Sequence, residues 1–209
     1  RGLYKTTDGG KTWILALEIS KDTGVTSVEF DPANPDIVYA AAYQRRRSVA
    51  AFMGGGPESG IHKSEDAGKT WRKLTVGLPS GDVGKIGLAV SPIDPRIVYA
   101  TVEAGPEEKG FYRSTDKGES WEKRSPYISG GTGPHYYQEI FADPNVFDRV
   151  YQMDPSMMIT NDGGKTWRPV GEKSKHGDNH AMAFVKGDPD YILNGSDGGV
   201  YESHDGGKT

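Results

Sequence analysis

Four short stretches of this 209-residue sequence bring together side chains that can do chemistry. His176-Gly177-Asp178-Asn179-His180 puts two imidazoles and a carboxylate at alternate positions. On an extended strand alternate residues share a face, so His176, Asp178 and His180 can converge. They would then suit a divalent metal or a proton-transfer pair. Loop hydrogen bonding between neighbouring units is the competing reading, and neither a metal nor any other cofactor is expected. Tyr43-Gln44-Arg45-Arg46-Arg47 supplies three guanidinium groups that fork onto carboxylates or phosphates, with Tyr43 beside them. The alternative is that these arginines pair with nearby acids, with Phe52 and Met53 plugging a local cluster. A glycine-rich stretch runs through His135 into Tyr136-Tyr137-Gln138-Glu139. If it is a strand, Tyr137 and Glu139 share a face that suits a sugar or peptide pocket. Packing of the two tyrosines between units is the other reading. Asp82, in Ser80-Gly81-Asp82-Val83-Gly84, is a further acid. Asp82, Glu139 and Asp178 are thus the carboxyl candidates for general acid–base work, and Tyr43, Arg45, Arg46, Arg47, His135, Tyr137, His176 and His180 the ligand-binding ones.

The elements that carry these residues follow from a repeat. An octad recurs as TTDGGKTW at 6–13, SEDAGKTW at 64–71, STDKGESW at 114–121 and TNDGGKTW at 160–167, with SHDGGKT at 203–209. Its aspartates are Asp8, Asp66, Asp116, Asp162 and Asp205. Its tryptophans are Trp13, Trp71, Trp121 and Trp167. Asp binds backbone amides two residues on, and the glycine at the fifth octad position takes a positive φ. The octad therefore reads as a structural turn, and the tryptophans as packing between units. A second element keeps phase with it: FDPANPDIVYA at 30–40, VSPIDPRIVYA at 90–100, ADPNVFDRVYQ at 142–152 and a degraded KGDPDYIL at 186–193. Apolar alternation at 25–30, 85–90, 137–142 and 180–184 supplies a first strand to each unit. Four short strands per 40–50 residues is the period of a β-propeller blade.

The fold expected is all-β: four-stranded antiparallel blades, about four blade periods, forming part of a larger propeller. The segments are 1–18 (the last two strands of a blade), 19–76, 77–126 and 127–171 (one blade each), and 172–209 (an incomplete blade). Composition agrees, with 29 glycines, 13 prolines and 10% aromatics. Cysteine is absent, which excludes disulfides and thiolate chemistry. A net charge of −4 gives no general attraction to nucleic acid. No apolar run is long enough to cross a membrane as a helix, and no charged-then-apolar leader is read.

The octad resembles the Asp-box, or BNR repeat, of sialidases, xyloglucanases, photosystem II assembly factors and the sortilin propeller. The segments YQRRRSVAAFMGGGPESGIHKSEDAGKTW, GDVGKIGLAVSP, YYQEIFADP and HGDNHAMAF…GSDGGVYES look most like large bacterial sortilin-like proteins labelled glycosyl hydrolases. That resemblance implies a non-catalytic binding propeller that takes a peptide, protein or glycan through its channel and upper-face loops. It also implies the rest of a longer propeller chain as partner, and an extracytoplasmic (secreted or periplasmic) location. The alternative is part of a glycoside hydrolase, xyloglucanase-like rather than sialidase-like. Such an enzyme needs two carboxyl groups roughly 5–5.5 Å or 6.5–9.5 Å apart. The Phe/Tyr-Arg-Ile-Pro element that accompanies Asp-boxes in sialidases is missing. An assembly factor that docks on a membrane protein through the arginines is a third reading.

Overall fold

A computed structural model describes residues 1–128, 136–171 and 173–209. Among the described residues eighteen strands fall into five antiparallel sheets. The first holds β1 (Leu3–Lys5) and β2 (Ile14–Leu17). The second holds β3 (Thr23–Asp31), β4 (Asn34–Arg47), β5 (Phe52–Gly54), β6 (Gly60–Ser64) and β7 (Arg72–Lys73). The third runs β8 (Ile86–Val90), β9 (Val98–Val102), β10 (Gly110–Ser114) and β11 (Glu122–Ser125). The fourth runs β12 (Ile140–Ala142), β13 (Val150–Gln152), β14 (Met158–Thr160) and β15 (Arg168–Pro169). The fifth holds β16 (Asn179–Val185), β17 (Asp188–Ser196) and β18 (Gly199–Ser203). Each sheet is a meander, and the first strands β3, β8 and β12 lie against one another in series. Each sheet is thus a blade. The β1–β2 and β16–β18 sheets share no ladder.

The octad builds the turn from third to fourth strand. In the fourth blade Asp162 Oδ1 accepts the Thr160 hydroxyl at 2.8 Å, the Lys165 amide at 2.9 Å and the Thr166 amide at 3.0 Å. Its Oδ2 accepts the Thr166 hydroxyl at 2.6 Å. The Gly164 amide donates to Thr160 Oγ1, and Trp167 Nε1 to the Gly164 carbonyl. Asp8, Asp66 and Asp205 repeat the carboxylate pattern. Asp116 keeps its Ser114 and Ser120 bonds, while the Glu119 amide turns to the Asp116 carbonyl. Hydrogen bonds from Thr12 and Thr6 hold the Asp8 carboxyl down at about 2. At Asp162 burial pushes the other way, but the Thr166 and Thr160 bonds outweigh it and the carboxyl again lies at about 2.

The fifth-position glycine has a second reason to be glycine. Gly164 has φ +90°, and a Cβ there would sit 2.0 Å from Cδ1 of Phe111 in the preceding blade. At Gly118 the same atom would meet Leu74 and Tyr39 of the blade before. These two octads therefore lean on the preceding blade. Tyr39, wholly buried, sends its hydroxyl to the Lys117 carbonyl at 3.0 Å. Tyr99 sends its hydroxyl to Asp148 Oδ1 at 2.6 Å. Ion pairs cross the same seams: Lys63 to Glu119 at 2.7 Å, Lys117 to Asp31 at 2.8 Å and Arg113 to Asp148 at 3.0 Å. Three apolar clusters fill the gaps between the second and third, third and fourth, and fourth and fifth blades.

Two expectations need correction. The tryptophans do not all pack between blades. Trp121 is 6% exposed within the cluster around Leu74, and Trp167 meets Phe111 edge-on at 5.0 Å. Trp13 is 59% exposed, because its octad has no earlier blade in this chain to lean on. The first strand of the fourth blade is also shorter than alternation suggests. It begins at Ile140, because Gln138 takes φ +107° and breaks the extended backbone.

Two outcomes follow. Gly164→Ala should lower unfolding free energy by about 2–4 kcal/mol, from overpacking plus strain. Gly9→Ala, at φ +73° with nothing near its Cβ, should cost only about 1–2 kcal/mol. Equal losses in calorimetry would refute the seam role of Gly164. The depressed carboxyls stabilise the fold above their unfolded values, and that stability is lost as pH falls from about 4 towards about 2. Asp162→Asn should therefore melt below wild type at pH 7, with the gap closing below pH 3. A gap independent of pH would rule out the linkage.

Candidate functional site

The strand directions put every octad turn on one face. The loops from second to third strand, and from fourth strand to the next first strand, emerge on the other. Three groups of side chains occupy that second face and the channel beneath it.

The first is a hairpin. β4 runs 14 residues against five in β9, and its overhang pairs with β5 through Arg45↔Gly54, Arg46↔Met53 and Arg47↔Phe52. The Arg45 guanidinium lies 5.5 Å from the centre of the Phe52 ring, and Arg46 and Arg47 are exposed. Among the described residues none of the three arginines forms an ion pair, so the pairing alternative is not realised. Tyr43 lies beneath, with its hydroxyl buried and unbonded. Burial, and then the nearby Glu103 carboxylate, push that phenol up.

The second is a cleft in the channel between the first strands, lined by Thr26, Ser27, Glu29, Lys85, Gln138 and Glu139. Lys85 Nζ donates to Glu139 Oε1 at 2.7 Å, while Glu139 Oε2 is buried without a hydrogen bond. Glu29 projects from β3 into the same cleft, and burial pushes its carboxyl up to about 7. A carboxyl raised by burial and an ion-paired carboxylate thus line one cleft, and unlike environments of this kind separate an acid from a base. Sequence reasoning missed Glu29. Its only signal is a charged residue in a first strand where the third blade has Ala89 and the fourth has Phe141.

The third group joins two loops. Tyr137 is buried, donates to Asp178 Oδ1 at 2.6 Å, and stacks on His180 with ring centres 5.3 Å apart and planes 8° from parallel. His180 Nε2 lies 3.1 Å from Asp197 Oδ1. His176 turns away, with Nδ1 2.9 Å from the Gly177 carbonyl. Asp178 has φ +56°, so the stretch is not extended and alternate residues do not share a face. Among the described residues no three His, Asp or Glu side chains gather as a metal site. The φ of Gln138 likewise parts Tyr137 from Glu139: one serves this cluster, the other the cleft. Asp82 is exposed and lines an open hollow with Glu103 and Glu108. His135 and its glycine-rich stretch lie outside the described residues.

Successive antiparallel meanders, each with an octad turn between its third and fourth strands and its unique loops on the opposite face, define blades of an Asp-box β-propeller. No family model matches the chain. Over 115 residues, half of this chain, it is 31% identical to xyloglucanase Xgh74A of Acetivibrio thermocellus, and that stretch covers 13% of the xyloglucanase. The GH74 enzyme of Niastella koreensis superposes with a TM-score of 0.69 at 20% identity, over 96% of this chain and 32% of that one. An ancestral GH74 enzyme gives 0.66 at 20% identity, over 96% and 28%. YCF48 bound to a D1 peptide gives 0.53 at 14% identity, over 87% and 53%. The chain is thus similar in fold to propellers of both kinds. It spans about a third of the length of the GH74 enzymes.

The cleft makes its own prediction. A carboxyl raised in the folded state favours folding while protonated, and that contribution fades as pH climbs from its unfolded value near 4.5 to about 7. Glu29→Gln should therefore raise Tm at pH 8 by roughly 2–5 °C, and change it little at pH 4. A lower Tm at pH 8 would show that the Glu29 carboxylate is satisfied in the fold.

Proposed function

We propose that the chain is a glycan-binding part of a propeller of the glycoside hydrolase type, acting on β-linked glucans of the xyloglucan kind through the channel cleft. The observation that carries this reading is that Glu29 and Glu139 line one cleft, Glu139 salt-bridged to Lys85 and Glu29 half-buried, its carboxyl pushed up by burial. The 115-residue likeness to a xyloglucanase supports it. In this reading Glu29 gives its proton to the leaving glycosidic oxygen. Glu139 acts from across the cleft as carboxylate partner, oriented by the Lys85 ammonium. Thr26 and Ser27 supply polar contacts for sugar hydroxyls. A polysaccharide substrate of this kind fits a location outside the cytoplasm. A sialidase reading is weaker, because the clustered arginines sit on one hairpin and not in the cleft.

The test is binding and reducing-end release on xyloglucan and an unbranched β-1,4-glucan. Glu29→Gln and Glu139→Gln should each lower turnover by about 10²–10⁴-fold while the circular dichroism spectrum stays native. Turnover by the wild type should fall above about pH 7, as Glu29 loses its proton. Neither binding nor release with either polysaccharide would overturn the proposal.

A further inference from the structure

The seam beneath the cleft, between the third and fourth blades, departs from the one before it. The phase of the repeat sets Thr101 and Gln138 where the seam between the second and third blades has Ala41 and Ile86. Ala41 and Ile86 belong to one apolar cluster, and Ile86 opens an ordinary strand, β8. Thr101 and Gln138 are both wholly buried, and the Thr101 hydroxyl donates to Gln138 Oε1 at 3.1 Å. A polar pair thus replaces an apolar one away from water, where it is tolerable only while its hydrogen bond is kept.

The backbone departs as well. Gln138 has φ +107°, outside the regions that a residue with a side chain ordinarily occupies. Such conformations persist where the surroundings enforce them, and they gather at functional sites. The enforcement here is visible. The Gln138 carbonyl oxygen lies 1.5 Å from where a Cβ on Gly87 would stand, so the turn fits only over a glycine. Gly87 pairs with Thr101 in the ladder of β8 and β9, so the two residues that hold Gln138 sit side by side. The consequence falls on the neighbours of Gln138. An extended Gln138 would send Tyr137 and Glu139 to one face. The turned one sends the Tyr137 hydroxyl to Asp178, and the Glu139 carboxylate to Lys85 at 2.7 Å in the cleft that Glu29 lines.

We propose that Gln138 is a positioning residue for the cleft: its left-handed backbone, held by Thr101 and admitted by Gly87, aims Glu139 at Lys85. Gln138 is sealed from solvent and acts only through Glu139. This deepens the glycan-hydrolase reading and rests on it only where turnover is the measurement.

The test is the double variant Thr101→Ala, Gln138→Ile, which copies the Ala41–Ile86 pair of the preceding seam. A β-branched residue resists positive φ, so the backbone at 138 should become extended. The variant should melt no lower than wild type, because an apolar pair needs no hydrogen bond. Its crystal structure should nevertheless show the 2.7 Å contact between Lys85 and Glu139 broken. Its kcat on xyloglucan should fall about 10²-fold with KM little changed. A merely structural role for the seam predicts the opposite, since its stability is preserved. Thr101→Ser keeps the hydroxyl and should keep both the contact and the turnover, whereas Thr101→Val should lose both. That pair carries the same comparison if the double variant does not fold. The proposal is overturned if the contact survives in the double variant and in Thr101→Val, or if it breaks and kcat is unchanged. If the wild type releases no reducing ends, the hydrolase reading fails alone, and the crystal contact still decides the positioning.

Discussion

One carboxylate, hydrogen-bonded on both oxygens to the loop that follows it, is the interaction on which this molecule is built. Asp162 and its counterparts gather hydroxyls and amides from within four residues, so the turn closes locally and needs no partner from elsewhere. What makes it more than a turn is the glycine beside it. With no Cβ at Gly164 or Gly118, the loop settles against Phe111, or against Leu74 and Tyr39, of the preceding blade. A local hydrogen-bond motif thereby sets the distance between neighbouring sheets. Tyr39 and Tyr99 then bridge the same seams through their hydroxyls.

Because that work is concentrated on one face, the other is free to vary. The loops there differ from blade to blade: an arginine hairpin in the second, an acid-rimmed hollow in the third, a stacked Tyr137–His180 pair between the fourth and fifth. The channel cleft lies where the first strands of three blades converge. Glu29 is driven towards its neutral form there by what the assembly removes from water, and no single charge is responsible.

The fold was legible because its causes are local. Asp, Gly and Ser or Thr at fixed offsets specify the octad turn, and alternation specifies the strands. The long interval after Tyr39 announced an unusual loop, which is the β4–β5 hairpin, with Arg46 and Arg47 exposed and Arg45 half-buried over Phe52. The site was legible only in part. His176, Asp178 and His180 look like one strand face, but Asp178 adopts a left-handed φ that its neighbours in sequence do not demand. Gln138 does the same to Tyr137 and Glu139. Both stretches sit in loops whose backbone is set by contacts with the preceding blade: the Asp178 amide bonds to the Pro155 carbonyl, and Gln138 packs under Gly87 and Thr101. Glu29 was faint for the complementary reason. Its own strand is ordinary apart from the charge, and its raised carboxyl comes from the neighbours that bury it.

The paired bridge between Gly56 and Val83 fastens the hairpin to the next blade at the point where that blade's chain enters the channel. Two residues further on is Lys85, whose ammonium holds Glu139. The hairpin and the cleft therefore share one short run of backbone, residues 83–85, and a substitution at this bridge touches both.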